Sequence, residues 1–302
     1  MNTSPRLLVI GRCGQVAQAL TERAASRGVP LLALGRETFD LASFTDLPEA
    51  AHAFQPTAVI NAAAYTAVDK AEERREDAFA VNARGAGRLA EAVRALSLPF
   101  LHISTDYVYD GAKPAPYVET DPTGPLGVYG ASKLAGEEEV IAAHPQALIF
   151  RTAWVYSPFG GNFVKTMLRL AATKDRLTVV DDQIGSPTSA FDIADALIAV
   201  ARAIGHEGMK GRAGVYHLAG AGETTWCGFA RTIFDISKSV AGPGIPVEPI
   251  ATEQYPTPAR RPANSRLDCG KLEDAFSLTL PHWRDSLKPV VTRLVEETVP
   301  QA

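Results

Sequence analysis

Cysteine is scarce in this chain of 302 residues: Cys13, Cys227 and Cys269 are its only three, far apart and without C-x-x-C spacing. A dispersed, odd set speaks against both a disulfide scaffold and a structural zinc site. The six histidines are scattered with no HxxH or HxxxH pair, so no metal is expected. A basic excess is also missing. Lys and Arg number 30 against 34 Asp and Glu, a net charge of -4, which argues against general binding to a nucleic-acid backbone. No apolar run approaches the roughly 18 residues of a membrane span. The start, Met1-Asn2-Thr3-Ser4-Pro5-Arg6, runs into Leu7–Ile10 with no leader-like apolar region. The expectation is a cytoplasmic protein whose partners include neither nucleic acid nor membrane. Hydrophobic residues at 46% and charged residues at 21% are ordinary for a chain that buries a core. The length suits one large domain or two ordinary ones.

Short apolar runs alternate with helical spacing from the start. Leu7-Leu8-Val9-Ile10 reads as a strand buried on both faces and stopped by Gly11. Val16, Ala19, Leu20 and Ala24 then mark one face of a helix that Gly28 ends. The spacing predicts further strands at 31–34, 58–60, 100–103 and 148–150. Between them come helical patterns at Leu47, Ala50, Ala51 and Phe54, at Leu89, Ala92, Val93 and Leu96, and over 132–141. Strands buried on both faces and joined by helices imply a parallel sheet with right-handed crossovers. Residues 1–155 are therefore expected to form a doubly wound α/β domain. After Tyr156 the pattern loosens. It predicts a helix over roughly 163–174, a strand at 177–180, a helix through Ile193–Ala201, and a strand at 215–218 that rejoins the sheet and completes the first domain by about 188–220. A helix opening near Thr225, a Pro-rich stretch from Pro243 to Pro262 and a helix around 287–295 leave 156–187 and 221–302 as a smaller α+β lobe.

Five segments carry chemistry. The turn Gly11-Arg12-Cys13-Gly14-Gln15-Val16-Ala17 joins the first strand to the first helix, where glycines let a backbone approach a pyrophosphate resting on helix N–H groups. The second strand ends at Leu34-Gly35-Arg36. An Asp or Glu that would hold a ribose 2′-hydroxyl is missing there, and Arg36 offers either a partner for a 2′-phosphate or a solvated surface charge. Ile60-Asn61-Ala62-Ala63-Ala64-Tyr65 leaves room beside the sheet for a flat ring and its ribose. The same small residues serve helix-on-sheet packing equally well. Ser104-Thr105-Asp106-Tyr107 ends the fourth strand, and Tyr129 and Lys133 lie four apart on one helical face. A phenol is a poor acid–base at its usual value near 10. A neighbouring ammonium is expected to lower it. A threonine at the strand end can bond the same reacting oxygen.

Together, the glycine turn, the strand-end Ser/Thr and Tyr-x-x-x-Lys resemble the extended short-chain dehydrogenase/reductase superfamily. The resemblance narrows to its dTDP-4-dehydrorhamnose reductase family through blocks spread in order along nearly the whole chain. They include Asn61-Ala62-Ala63-Ala64-Tyr65-Thr66-Ala67-Val68-Asp69, Val128-Tyr129-Gly130-Ala131-Ser132-Lys133-Leu134-Ala135-Gly136-Glu137, Arg151-Thr152-Ala153-Trp154-Val155-Tyr156, Asp182-Gln183-Ile184-Gly185-Ser186-Pro187-Thr188 and Arg260-Arg261-Pro262-Ala263-Asn264-Ser265-Arg266.

The resemblance implies a Rossmann-like doubly wound sheet with a smaller substrate-binding lobe, and NADPH as cofactor, with NADH admissible. It implies Tyr129 as proton donor, Lys133 as the residue that holds the nicotinamide ribose and tunes the phenol, and Thr105 as support for the reacting oxygen. Asp106 and Trp154 would lie against the sugar. Gly11, Gly14, Gln15, Val16, Arg36, Ala64, Tyr65 and Thr66 would line the cofactor, beside Tyr129 and Lys133. Lys165 and Arg261 are candidate diphosphate contacts or plain surface charges. Cys13, where Thr, Ser or Asn is usual, and Ala17, where Gly is usual, depart from the family pattern. Neither removes a backbone N–H, so they bear on cofactor affinity rather than chemistry. The implied reaction is reduction of the 4-keto group of a dTDP-6-deoxyhexulose to dTDP-L-rhamnose, with a sugar nucleotide as the small-molecule partner and a homodimer as the assembly to test. Two rivals share the fold. A dehydratase or epimerase commonly carries Asp-Glu after the threonine, whereas Tyr107 follows Asp106 here. A non-catalytic NADP-binding regulatory subunit would not need the intact Thr105, Tyr129 and Lys133.

Overall fold

The computed structural model describes residues 4–298. Met1–Thr3, at the start of the expected first domain, and Val299–Ala302, at the end of the second lobe, lie outside the described residues.

The apolar runs form a six-stranded sheet. Strands β1 (Leu7–Ile10), β2 (Leu31–Leu34), β3 (Ala58–Asn61), β4 (Phe100–Thr105) and β5 (Leu148–Thr152) are joined by the strand Gly214–His217. Their spatial order is Gly214–His217, β5, β4, β3, β1, β2, and every pair is parallel. Alternation across the pleat explains why β1 is apolar throughout. Leu7 and Val9 enter the core beneath helices Gln15–Ser26 and Ala190–Glu207, while Leu8 and Ile10 enter the opposite core with Leu89, Val93 and Val140. The chain is thus an α/β protein with helices on both faces of a parallel sheet.

The region between β3 and β4 is more helical than expected. Val68–Glu73 and Arg75–Phe79 precede a single π-helical stretch, Ala80–Gly85, before the expected helix, Ala86–Ala95. Short polar runs such as Glu72-Glu73-Arg74-Arg75 concealed the first two. The π stretch packs against the long helix Val128–Ala143, and Gly136 permits this contact, because a Cβ there would lie 1.9 Å from the Asn82 carbonyl oxygen.

Helices Phe163–Ala171, Trp226–Ser239 and Trp283–Thr298 enclose a separate core containing Phe229, Ile233, Phe234, Leu287 and Val291. The final helix begins one turn earlier than the expected 287–295. The Pro-rich stretch also hides a strand, Val247–Ile250, which pairs with Leu177–Val180 alone. Pro249 is tolerated because this strand has only that one partner. Among the described residues no helix is long and apolar enough to cross a membrane.

Candidate active site

The loops after β1 to β5 gather the candidate residues at the carboxyl ends of the strands, where open parallel sheets bind ligands. Gly11 has φ +110°, and a Cβ there would lie 3.1 Å from the Ala62 and Ala63 backbone. Only glycine brings the turn this close to the loop after β3. Helix Gln15–Ser26 then opens at Gly14, which supplies no side-chain cap. Its first-turn N–H groups thus form a cradle suited to a pyrophosphate. The Gln15 side chain donates to the Val155 carbonyl (3.3 Å) and accepts from Ser157 Oγ (2.8 Å) and Asn162 Nδ2 (3.0 Å). Gln15 therefore fixes this cradle to the loop after β5. The loop carrying Ala64, Tyr65 and Thr66 is clamped by buried Asn82, which accepts from the Tyr65 N–H (2.7 Å) and donates to Ser132 Oγ (2.9 Å). Asn82 and Ser157 escaped the sequence reading because isolated polar residues carry no local spacing signal.

Beyond β2, Arg36 is 83% exposed and faces Asp40 at 3.3 Å. An acidic group does approach this strand end, contrary to the reading of Gly35-Arg36 alone. Glu37 folds back so that its carboxylate lies 2.5 Å from the position of a Cβ on Gly35, and it pairs with Arg12 at 3.1 Å. The reversal of chain direction after β2, invisible in spacing, places it there. Two carboxylates, Glu37 and Asp40, and two guanidinium groups, Arg12 and Arg36, therefore share the corner where a ribose 2′-substituent would lie.

Thr105, Asp106, Tyr129 and Lys133 do converge. Thr105 Oγ1 donates to Asp106 Oδ1 (3.0 Å) and accepts from the Tyr107 N–H (3.3 Å), and its side chain pulls the Tyr129 phenol downward. Gly130 lets helix Val128–Ala143 approach this turn, since a Cβ there would lie 2.1 Å from the Tyr107 carbonyl oxygen. Burial raises the Asp106 carboxyl to about 6 against the smaller opposing pull of Ser265 and Thr105. Its Oδ2 is buried without a partner among the described residues.

The expected lowering of the phenol is overturned. Burial raises Tyr129 to about 12, only partly offset by the hydrogen bond with Thr105. Lys133 is directed elsewhere: its Nζ donates to the Ile103 carbonyl at 2.7 Å and lies 3.5 Å from His102 Nε2. Burial lowers the lysine to about 8, and nearby Glu137 acts in the opposite direction. The site therefore holds a protonated phenol, which can donate a proton but does not rest as phenolate.

Trp154 adopts φ +48°, an unusual backbone for a bulky residue. Its ring stacks on Trp226 with centroids 3.5 Å apart and covers Gly185, where a Cβ would collide with the indole. Lys165 lies on helix Phe163–Ala171 and donates to the Pro158 carbonyl at 3.0 Å. Arg261 is not presented as an open anion contact. Its two terminal nitrogens bond the two oxygens of Asp69, each at 2.8 Å, and one also reaches the Ala259 carbonyl. A planar fork meeting a carboxylate satisfies both partners, so Arg261 here ties the Pro-rich stretch to helix Val68–Glu73.

Comparison with known proteins agrees with this geometry. Residues 5–296 match the family model described as the RmlD substrate binding domain. A Sinorhizobium fredii protein named dTDP-4-dehydrorhamnose reductase is 49% identical over 97% of this chain and 98% of its own length. An Escherichia coli protein of the same name is 39% identical over 97% and 99%. Among solved structures, a Bacillus anthracis dTDP-4-dehydrorhamnose reductase in complex with NADP superposes with TM-score 0.87 at 33% identity, covering 96% of this chain and all of that one. A Clostridium acetobutylicum dTDP-4-dehydrorhamnose reductase gives TM-score 0.86 at 35% identity, over 96% and 99%.

Proposed function

Because the chain belongs to the dTDP-4-dehydrorhamnose reductase family, we propose that it catalyses NADPH-dependent reduction of the 4-keto group of dTDP-4-dehydro-L-rhamnose to dTDP-L-rhamnose, with Tyr129, Thr105 and Lys133 as catalytic residues. The observation that carries the reading is the convergence of Thr105, Asp106 and Tyr129 around Tyr107 at the end of β4, beside the glycine cradle. Bound NADPH supplies the hydride to C4. Tyr129, kept protonated by burial, gives its proton to the oxygen of that carbon as it becomes an alkoxide. Thr105 offers that oxygen a second hydrogen bond, so charge builds where donors are already placed.

The unpartnered oxygen of Asp106 takes a sugar hydroxyl, and Trp154 covers the sugar. Lys165 takes the diphosphate. Lys133 holds the nicotinamide ribose, while the backbone of Gly11, Gly14, Gln15, Val16, Ala64, Tyr65 and Thr66 lines the dinucleotide and Arg36 meets the 2′-phosphate. Residues 1–155, completed by about 188–220, bind the cofactor. Residues 156–187 and 221–302 bind the sugar nucleotide. The setting is the cytoplasm and the assembly a homodimer, which light scattering tests.

A dehydratase needs a carboxylate base after Asp106. Tyr107, whose phenol burial drives far above its usual value, cannot serve as one. The deciding experiment mixes the protein with NADPH and dTDP-4-dehydro-L-rhamnose and follows nicotinamide absorbance and sugar product together. Consumption of NADPH matched by dTDP-L-rhamnose is expected. No cofactor oxidation at saturating substrate overturns the reading and leaves the regulatory-subunit alternative.

A further inference from the structure

His102 is wholly buried on β4, directly beneath the catalytic face of helix Val128–Ala143. Nothing in the reaction as outlined uses it. Its hydrogen-bonding direction is fixed by a chain of contacts. Asn61 Oδ1 accepts from the Ala63 N–H at 3.1 Å, so the Asn61 amide nitrogen is the atom turned toward His102 Nδ1, 3.0 Å away. An amide nitrogen only donates, so Nδ1 must accept. Burial holds the imidazole neutral by lowering its basicity well below the usual value. A neutral ring that accepts at Nδ1 carries its proton at Nε2. That N–H points at Lys133 Nζ, 3.5 Å away.

Two donors then face each other whenever the lysine is an ammonium. The conflict disappears when the lysine is a neutral amine, whose lone pair accepts from Nε2–H. Flipping the tautomer only moves the clash to Asn61. Other charges near Lys133 do not produce this effect. Glu137, one turn along the same helix, favours the ammonium, and Arg151 of β5 is directed at Glu137. Asp106 and Tyr107 act on Tyr129, and the π-helical stretch presents neutral Asn82. Charged groups on the neighbouring helices are bonded elsewhere: Glu72 accepts from the Val128 N–H, Arg84 pairs with Glu76, and Arg88 and Arg94 donate to backbone carbonyls.

We propose that His102 is a positioning residue that disfavours the ammonium form of Lys133 in the cofactor-free protein, so that binding of the nicotinamide ribose draws a proton onto Lys133 in the mildly alkaline range. The inference rests on the reading of Lys133 as the ribose-holding lysine. Ribose hydroxyls present acceptor oxygens, which repay the ammonium for the donor it faces. The balance is simple: the amine takes a proton from solvent, becomes an ammonium and donates to the ribose. No bond to carbon changes.

The test is calorimetric titration of the full-length protein with NADPH near pH 8.5, in two buffers of different ionisation enthalpy, with the cofactor analogue lacking the 2′-phosphate as a second titrant. At that pH the 2′-phosphate, with its second ionisation near 6, is silent. Wild type is expected to take up a fraction of a proton with either titrant, with a midpoint near 8 set by the lysine. In His102→Gln the side-chain oxygen can accept from both Asn61 and the ammonium. The midpoint, together with the alkaline limb of the kcat/KM profile, is then expected to rise by about one unit. Asn61→Asp provides an independent variant, because a carboxylate fixes the proton on Nδ1 and turns the Nε2 lone pair toward Lys133; the same rise is expected. A merely structural histidine would change Tm and kcat without moving the midpoint. NADPH binding without proton uptake in wild type, or an unmoved midpoint in a folded His102→Gln or Asn61→Asp, overturns the proposal and leaves the reductase reading standing. Failure of wild type to bind NADPH overturns both.

Discussion

Arg151 and Glu137 form a buried bidentate ion pair directly behind the active site. Arg151 Nη2 lies 2.6 Å from Glu137 Oε2, and its Nε lies within 3.2 Å of both carboxylate oxygens. Glu137 also accepts from Ser104, while Arg151 donates to the Tyr109 hydroxyl at 2.6 Å, and that hydroxyl meets His217 Nε2 at 2.8 Å. The pair therefore anchors the helix of Tyr129 and Lys133 to β4, β5 and the last strand of the sheet.

Removing one partner of such a pair strands a charge in the interior. Arg151→Met is expected to cost about 3–5 kcal/mol, read as a lower midpoint in urea denaturation. The double variant Glu137→Leu with Arg151→Met is expected to recover part of that loss. If the single variant is as stable as wild type, the pair does not anchor the helix.

Tyr129→Phe removes one hydroxyl and keeps the ring packed edge-on against Tyr107. Turnover is expected to fall by roughly 10²–10⁴, the usual contribution of general acid catalysis, with the dissociation constant for NADPH near wild type. Lys133→Ala is expected to weaken cofactor binding as well. Near-normal kcat in Tyr129→Phe would reduce the tyrosine and lysine to an ordinary helix face.

Asp106 links stability to pH. Its carboxyl rises from 3.8 to about 6 on folding, so the folded state holds that proton more tightly than the unfolded chain. Stability is therefore lost as pH climbs from about 4 to about 6, and the full loss persists above that window. Asp106→Asn is expected to stabilise the protein at pH 7 by on the order of 1–3 kcal/mol, with no difference below pH 4, while substrate KM rises. Melting curves at the two pH values decide it. A destabilised variant at neutral pH contradicts the argument.

The corner after β2 makes a prediction about cofactor choice. Arg36→Ala is expected to weaken NADPH binding and leave NADH nearly untouched, by less than the roughly ten-fold of a shielded charge-assisted pair, because Arg36 is solvated. Glu37→Gln is expected to shift preference further toward NADPH by removing a negative charge near the 2′-phosphate and releasing Arg12. Fluorescence titration with both cofactors measures each change. Equal losses for both cofactors would assign these residues to structure instead.

The sheet and most of its helices were legible along the chain, because strands buried on both faces must be apolar throughout and their helices must carry one apolar stripe. Leu7–Ile10 and the face of Val16, Ala19 and Leu20 satisfy both periods without any knowledge of their partners. Tyr129 and Lys133, spaced by one helical turn, were legible for the same reason. Only the tertiary structure decided what rests on contacts between distant segments: Asn82 clamping the loop after β3, Gln15 held by Ser157 and Asn162, Glu37 folded over Gly35, and Arg261 committed to Asp69. It also decided the protonation of the site. The spacing of Tyr129 and Lys133 suggested a lowered phenol, but burial outweighs an ammonium that is itself disfavoured and turned toward Ile103 and His102. Desolvation depends on every atom packed around a group, and no pattern of neighbours along the chain records it.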